Sequence, residues 1–291
     1  MSRAATSLVL LVLFSCLIPP TALAERPKLA LVIDDLGWDM RMGKRVLALP
    51  GPITVAVLPG TPVGRELALV AHDLGVEIML HQPMAAERIP NAGPGNLQLG
   101  MAPDAVTARL RENLAQIPHH SGVSNHMGSL LTRCEQTMSV LMTELAQRGL
   151  YFLDSRTTAR SVAYSSARSA QVPATRRDVF IDTVLDTQAI ERALEAAVLL
   201  AEQRGHAVAI GHPHAATLAV LESHLPAIME RVQLVPVSAL VNPRPAQQLA
   251  HRGRHGVTRN SGRSERASGH PRAVPAAAPH HPGQPHHPGQ P

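Results

Sequence analysis

Side chains able to do acid–base or metal chemistry recur where apolar runs of this chain stop. The stretch "LALVIDDLGWD" (29–39) ends its apolar run in two adjacent carboxylates, Asp34 and Asp35. Further along, "LHQPM" supplies His81, "SNHMGS" supplies Asn125 and His126, and "YFLDSRT" supplies Asp154 and Arg156. "VFID" then supplies Asp182, and "AIGHPH" supplies His212 and His214. Two neighbouring anions raise each other's pKa unless a cation or hydrogen bonds offset the repulsion. The doublet therefore has two readings. Either Asp35 caps the next helix and Asp34 lies on the surface, or the pair serves a metal ion and a proton transfer. One carboxylate with two imidazoles is a full set of protein ligands for a hydrolytic ion such as Zn²⁺, with positions left for water and substrate. The other carboxylate then accepts the proton of an attacking water, and a histidine across the site donates to the leaving group. A single histidine at a strand end is more often a hydrogen-bonded structural residue, so the argument rests on their coincidence. His214, after a proline at a helix start, reads as a contact to substrate or to the inner residues. Asn125 reads as a partner for the surroundings of His126 or for a sugar hydroxyl.

These residues need a scaffold that brings strand ends together. Strand-length apolar runs stand at 28–33, 53–58, 76–81, 122–127, 150–154, 178–182, 206–211 and 232–237. Helical periodicity fills the gaps near 40–49, 62–74, 103–116, 135–148, 187–204 and 215–230. Pro62 and Pro103 open two of these helices, and Gly75, Gly149 and Gly205 close three. Continuous apolar strands, each followed by a helix, indicate an α/β fold with a parallel sheet buried on both faces. The number of units favours a single distorted (β/α) barrel of about seven parallel strands, closed or nearly so. In such barrels chemistry collects at the C-terminal ends of the strands, where the polar residues named above fall. No G-x-G-x-x-G follows the first strand, so a dinucleotide site is not indicated.

Outside residues 25–242 the composition changes. Arg3, the apolar "LVLLVLF" and the A-x-A signal of Ala22 and Ala24 read as a signal peptide over 1–24. That apolar run is too short to span a bilayer, so no integral membrane segment is expected after cleavage, and the expected compartment is the periplasm. Cleavage leaves one cysteine, Cys134, of the two in the chain, and hence no intrachain disulfide. Residues 243–291 are rich in Pro, Gly, Arg and His and end in "HHPGQP" twice, a disordered tail whose paired histidines offer weak metal binding. From Arg244 onward there are seven arginines and one glutamate, which accounts for the overall net charge of +5. The body is mildly acidic and has few aromatic residues, so nucleic acid is not an expected partner.

Taken in order, "VIDDLG", "LHQPM", "SNHMGS", "YFLDSRT", "VFID" and "AIGHPHAATLAVL" closely resemble the divergent polysaccharide deacetylase family, relatives of the NodB-type carbohydrate esterases. The resemblance covers about 28–241. It implies a distorted (β/α) barrel and removal of acetyl groups from amino sugars with a divalent metal ion. By resemblance, Asp34 matches the general base, Asp35 the metal-binding aspartate and His81 the first histidine of the esterases' H-x-x-x-H motif. The second histidine would fall at Ala85 and is missing, so His126, from the next strand end, becomes the third ligand. His212 matches the catalytic acid, with Arg156 or Asp182 orienting base or acid. The expectation is a metal-dependent hydrolase, with Zn²⁺ as the ion, that deacetylates an envelope or extracellular carbohydrate. The alternatives are an inactive barrel that binds glycan, or a protein that holds metal through its tail.

Overall fold

Strand β1, Lys28–Leu36, carries the organising pattern of the molecule in its side-chain alternation. Leu29, Leu31 and Ile33 pack outward into the large core beneath the helices, while Ala30 and Val32 face a smaller inner core. Both faces are apolar, as a sheet covered on two sides requires. The computed structural model describes residues 26–241. The signal-peptide reading at 1–24 and the tail reading at 243–291 lie outside the described residues.

After β1 come α1 (Met40–Leu47), β2 (Thr54–Val57), α2 (Gly64–Asp73), β3 (Glu77–Met84), α3 (Pro103–Gln116) and β4 (His120–Met127). A 3-10 turn at Leu131–Arg133 leads into α4 (Glu135–Arg148), β5 (Tyr151–Asp154), α5 (Ala163–Ser169), β6 (Ala174–Arg176) and β7 (Val179–Phe180). The chain continues through α6 (Thr187–Arg204), β8 (His206–Gly211), α7 (Ala215–Arg231), β9 (Gln233–Leu234) and α8 (Ser238–Val241). Sequence features fix several helix ends. Asp39 caps α1 by accepting from the Arg41 and Met42 N–H groups, and Asp186 caps α6 by accepting from Ala189.

Every strand pairing is parallel, and the strand order is β6-β5-β4-β3-β2-β1-β8-β7, with β9 added beside β1. The result is a distorted barrel with its ends at β6 and β7. Among the described residues no ladder joins those two strands. Instead the chain steps from one end to the other through Arg177 and Asp178, whose N–H groups donate to the Asp154 and Val208 carbonyls at 2.9 Å each. The parallel α/β barrel expected from the sequence is therefore present, with nine strands among the described residues, one of which was not among the eight apolar runs. The additional short strand, "ATR", is too polar to read as an apolar run, and β7 and β9 are each two residues long within longer apolar stretches. Helix α5, "AYSSARS", is equally illegible because its serines carry no helical period.

The inner core is made by Ala30 and Val32 of β1, Ala56 of β2, Met79 of β3, Tyr151 and Leu153 of β5 and Val208 and Ile210 of β8. Val235 and Val237 close it from the C-terminal segment. Phe180 of β7 packs against this inner core as well. This sets which residues at the strand ends face inward.

Candidate metal centre

Each strand's alternation, extended past its last inner-core residue, delivers one polar side chain to the same end of the barrel. After Ala30 and Val32 comes Asp34, after Met79 comes His81, after Val208 and Ile210 comes His212, and after Phe180 comes Asp182. On β4 the outward Val123 assigns Ser124 and His126 to the inner face. Alternation alone would send Asp35 outward. It does not go there, because Asp35 adopts φ +60° and the β1–β2 register shifts between Ile33 and Leu36. Aspartate tolerates this left-handed conformation better than most residues, and the turn brings both carboxylates to one site.

Asp35, His81 and His126 converge. His126 Nδ1 lies 2.7 Å and His81 Nε2 3.1 Å from the same oxygen, Asp35 Oδ1. Neither contact has hydrogen-bond alignment, and Oδ1 is a buried oxygen without a hydrogen-bond partner. Such a carboxylate oxygen, flanked by two imidazole nitrogens and left orphaned, fits a divalent cation in its donor chemistry. Their ligand atoms lie within 4.8 Å of one another. The His81 ring is oriented from behind, its Nδ1 lying 2.7 Å from the Ser124 hydroxyl. The tautomer that frees Nε2 for an ion donates from Nδ1 to that oxygen.

Asp34 stands beside this trio, its Oδ2 3.6 Å from His81 Nε2 and its Oδ1 buried with no partner. Burial pushes its pKa above the usual carboxylate range, His81 pulling downward and the charge of Asp35 adding to the rise. Asp35 is the reverse. Burial opposes its charge, but the close contacts of His126 and His81 hold it far below that range. The two adjacent acids are thus split into one that keeps its charge and one that readily takes a proton.

Opposite them, His212 Nε2 lies 3.9 Å from Asp35 Oδ2. Its Nδ1 is 2.9 Å from Asp182 Oδ1, and Asp182 Oδ2 accepts from the His212 backbone N–H (2.6 Å) and the Thr217 hydroxyl (3.0 Å). Burial would lower the imidazole's pKa, but the hydrogen bond and charge of Asp182, aided by Asp34 and Asp35, raise it to about 9. Asp182, His212 and His214 also have ligand atoms within 4.8 Å of one another. However, both oxygens of Asp182 are engaged by donors, so this second group reads as a positioned imidazolium and not as a second ion site.

The structure does not gather the remaining candidates at the same point. Asn125 donates to the Met127 carbonyl and accepts from Ser155 N–H, which ties the ends of β4 and β5 together. Asp154 accepts from Arg156 N–H and the Ser161 hydroxyl, shaping the loop after β5. Arg156, at φ +48°, directs its guanidinium to the Ala159 carbonyl within that loop. His214 is exposed at the start of α7, its ring 5.9 Å from that of His212. Two contributors went unread in the sequence. Ser124 was legible in principle, since it shares the inward parity of His126. Arg177 was not. It donates to the Ser155 and Arg156 carbonyls and sits 3.8 Å over the Phe180 ring, bracing the gap between β6 and β7.

Comparison with known proteins gives a consistent placement. A family model described as divergent polysaccharide deacetylase matches residues 31–241. An uncharacterized protein of Haemophilus influenzae is 37% identical over 213 residues, covering 73% of this chain and 76% of its own. The uncharacterized protein YibQ of Escherichia coli is 37% identical over 215 residues, covering 74% and 67%. Among solved structures, uncharacterized protein ATU2773 from Agrobacterium tumefaciens superposes with a TM-score of 0.72 at 25% identity, covering 76% of this chain and 92% of that one.

Proposed function

Because the chain belongs to the divergent polysaccharide deacetylase family, we propose that it is a metal-dependent hydrolase that removes acetyl groups from a carbohydrate of the bacterial envelope or its surroundings. The observation that carries this reading is the meeting of Asp35, His81 and His126 around one orphaned oxygen, between a high-pKa carboxylate and a protonated imidazole. When held by those three residues, a divalent ion such as Zn²⁺ would supply Lewis-acid polarisation of the acetyl carbonyl and acidify a water.

The chain's own residues account for the proton movements. Asp34 accepts the proton of the attacking water at Oδ1, the atom left without a partner. A carboxylate whose pKa is raised by burial is a stronger base than one in solvent. His212 carries a proton at Nε2 at neutral pH, and Asp182 holds the ring and its charge from behind. It delivers that proton to the departing nitrogen or oxygen as the acyl bond breaks, leaving acetate and a free amine or hydroxyl. Asp182 thereby acts through His212, as a positioning residue.

Export to the periplasm through cleavage after Ala24, and a tail beyond 242 that adds weak metal binding, belong to this proposal; both concern residues outside the described ones. Among the described residues, no helix is long and apolar enough to cross a membrane. A second reading, a barrel that binds glycan without catalysis, draws its support from Ala85, which by the resemblance falls where the related esterases have a metal-binding histidine. One experiment separates the two. Acetate release from acetylated chito-oligosaccharides, lost on chelation, restored by added Zn²⁺ and absent in Asp35→Ala, is the result expected of the hydrolase. Binding of the same oligosaccharides with no acetate released under any metal would leave the second reading standing.

A further inference from the structure

Beside the centre lies a cavity of about 240 Å³ whose lining includes Asp35, Trp38, Met42, His212, Pro213 and His214. Trp38 is the only tryptophan of the chain, yet 58% of it is exposed. A large aromatic side chain left in water at a cavity mouth needs an explanation, because its burial elsewhere would be favourable.

The backbone on either side of Trp38 is fixed although the side chain is free. Gly37 has φ +124°, and a Cβ built on it would stand 2.1 Å from Thr61 Oγ1 and 3.2 Å from Gly64 Cα. Its carbonyl accepts from Val63 N–H. On the other side, Asp39 is held by its two capping hydrogen bonds to α1. The indole is therefore presented from a rigid turn three residues after Asp35, with little backbone entropy left to lose on binding.

We propose that Trp38 is the stacking platform for the pyranose ring that bears the acetyl group, and that this ring lies in the cavity between Trp38 and His214. The inference rests on the deacetylase reading for the placement of the acetyl group and adds where its sugar goes. Three observations support this. Asp35 and His212, whose Oδ2 and Nε2 stand 3.9 Å apart, both line the cavity, so a ring seated there has its substituent beside both. The cavity's size falls below the roughly 300–1,000 Å³ of pockets that enclose drug-sized ligands, which suits one sugar ring and leaves the rest of a chain outside. Its lining pairs apolar faces from Trp38, Met42 and Pro213 with polar groups from His214 and Asp35, matching a ring that has C–H faces and hydroxyl edges. His214 is exposed at the N-cap of α7, and its side chain makes no capping hydrogen bond, so its imidazole can meet a ring hydroxyl.

The single tryptophan makes the test direct. Tri-N-acetylchitotriose is titrated into the full chain carrying Zn²⁺, as wild type and as Asp34→Asn, with intrinsic fluorescence and acetate release both followed. The expected result is a saturable fluorescence change in both proteins, and acetate only from wild type. Trp38→Ala should raise the KM about tenfold or more, the equivalent of one lost stacking contact, while Trp38→Phe keeps most of the affinity. A fluorescence change without acetate release leaves the platform intact and refutes the hydrolase. Acetate release with silent fluorescence, or with an unaltered KM in Trp38→Ala, refutes the platform and leaves the hydrolase. Neither signal refutes both.

Discussion

Replacing Asp182 by asparagine changes one charge at nearly constant shape, and its consequence can be worked through the hydrogen bonds. Asp182 Oδ2 accepts from the His212 backbone N–H and from Thr217, while Oδ1 faces His212 Nδ1. In Asp182→Asn the amide oxygen stays with the backbone N–H and the hydroxyl, because an NH₂ group there would meet two donors. The amide nitrogen then faces Nδ1 and donates to it. A protonated Nδ1 would now oppose a donor, so the imidazole is held neutral with its proton on Nε2. In the native protein the pKa stands at about 9, above the ordinary value near 6.5 by an amount equivalent to about 3 kcal/mol. The variant should lose the Asp182 share, which is the larger part, and keep only the smaller lift from Asp34 and Asp35, so its midpoint should fall well below 9. NMR titration of His212 in the metal-free protein reads the change directly. Stability follows with a definite sign. A raised histidine pKa stabilises fully below 6.5, and that contribution is lost as pH rises through about 9. The wild type should therefore exceed Asp182→Asn in unfolding free energy by up to about 3 kcal/mol at pH 6, the gap closing toward pH 9. Acetate release at pH 8 should fall about 100-fold, within the usual range for loss of a general acid. If the His212 midpoint moved by less than about half a pH unit, the assignment of Asp182 as the group that charges it would be wrong.

Three further outcomes follow from particular contacts. Ser124→Ala removes the partner of His81 Nδ1 and should weaken Zn²⁺ binding about 10- to 100-fold without altering its stoichiometry, read by calorimetric titration. Ala85→His should not improve the centre. Ala85 is 2% exposed, and its backbone is bonded to Leu97, Leu130 and Leu131, so the larger ring should cost about 1–3 kcal/mol in chemical denaturation with no gain in metal affinity. Glu144→Gln should cost about 1–2 kcal/mol, modest because Arg111 and Arg148, its partners, are half-exposed and screened by solvent. Those arginines hold the Glu144 carboxyl down at about 2, so the wild type's advantage should be full above pH 4.5 and vanish as pH falls through about 2, as urea titrations across that range would record.

The barrel was readable because each long strand is a continuous apolar run, and both faces of a covered parallel sheet must be apolar. The pieces that escaped, β6 and α5, are short and polar, held by their neighbours rather than by a pattern of their own. At the site, strand parity was the informative signal. His81, Asp182 and His212 each continue an inner-core series and His126 alternates with the outward Val123, whereas Asn125 and Asp154 are one step out of phase and are used by the scaffold. The alternation also misleads at one place. Asp35 reaches the centre only through its left-handed backbone and the register shift on β1. Nothing in "VIDDLG" announces that turn except the residue type that tolerates it. The orphaned oxygens of Asp34 and Asp35 likewise depend on relative strand height, which no local pattern encodes.

The central claim is that Asp35, His81 and His126 hold one divalent ion. Titrating Zn²⁺ into the full chain and into Asp35→Ala and His126→Ala, with far-ultraviolet circular dichroism to check folding, tests it most directly, because any binding by the tail is common to all three. The account predicts one high-affinity equivalent in the wild type that disappears in both folded variants. Equal stoichiometry and affinity in all three would contradict it.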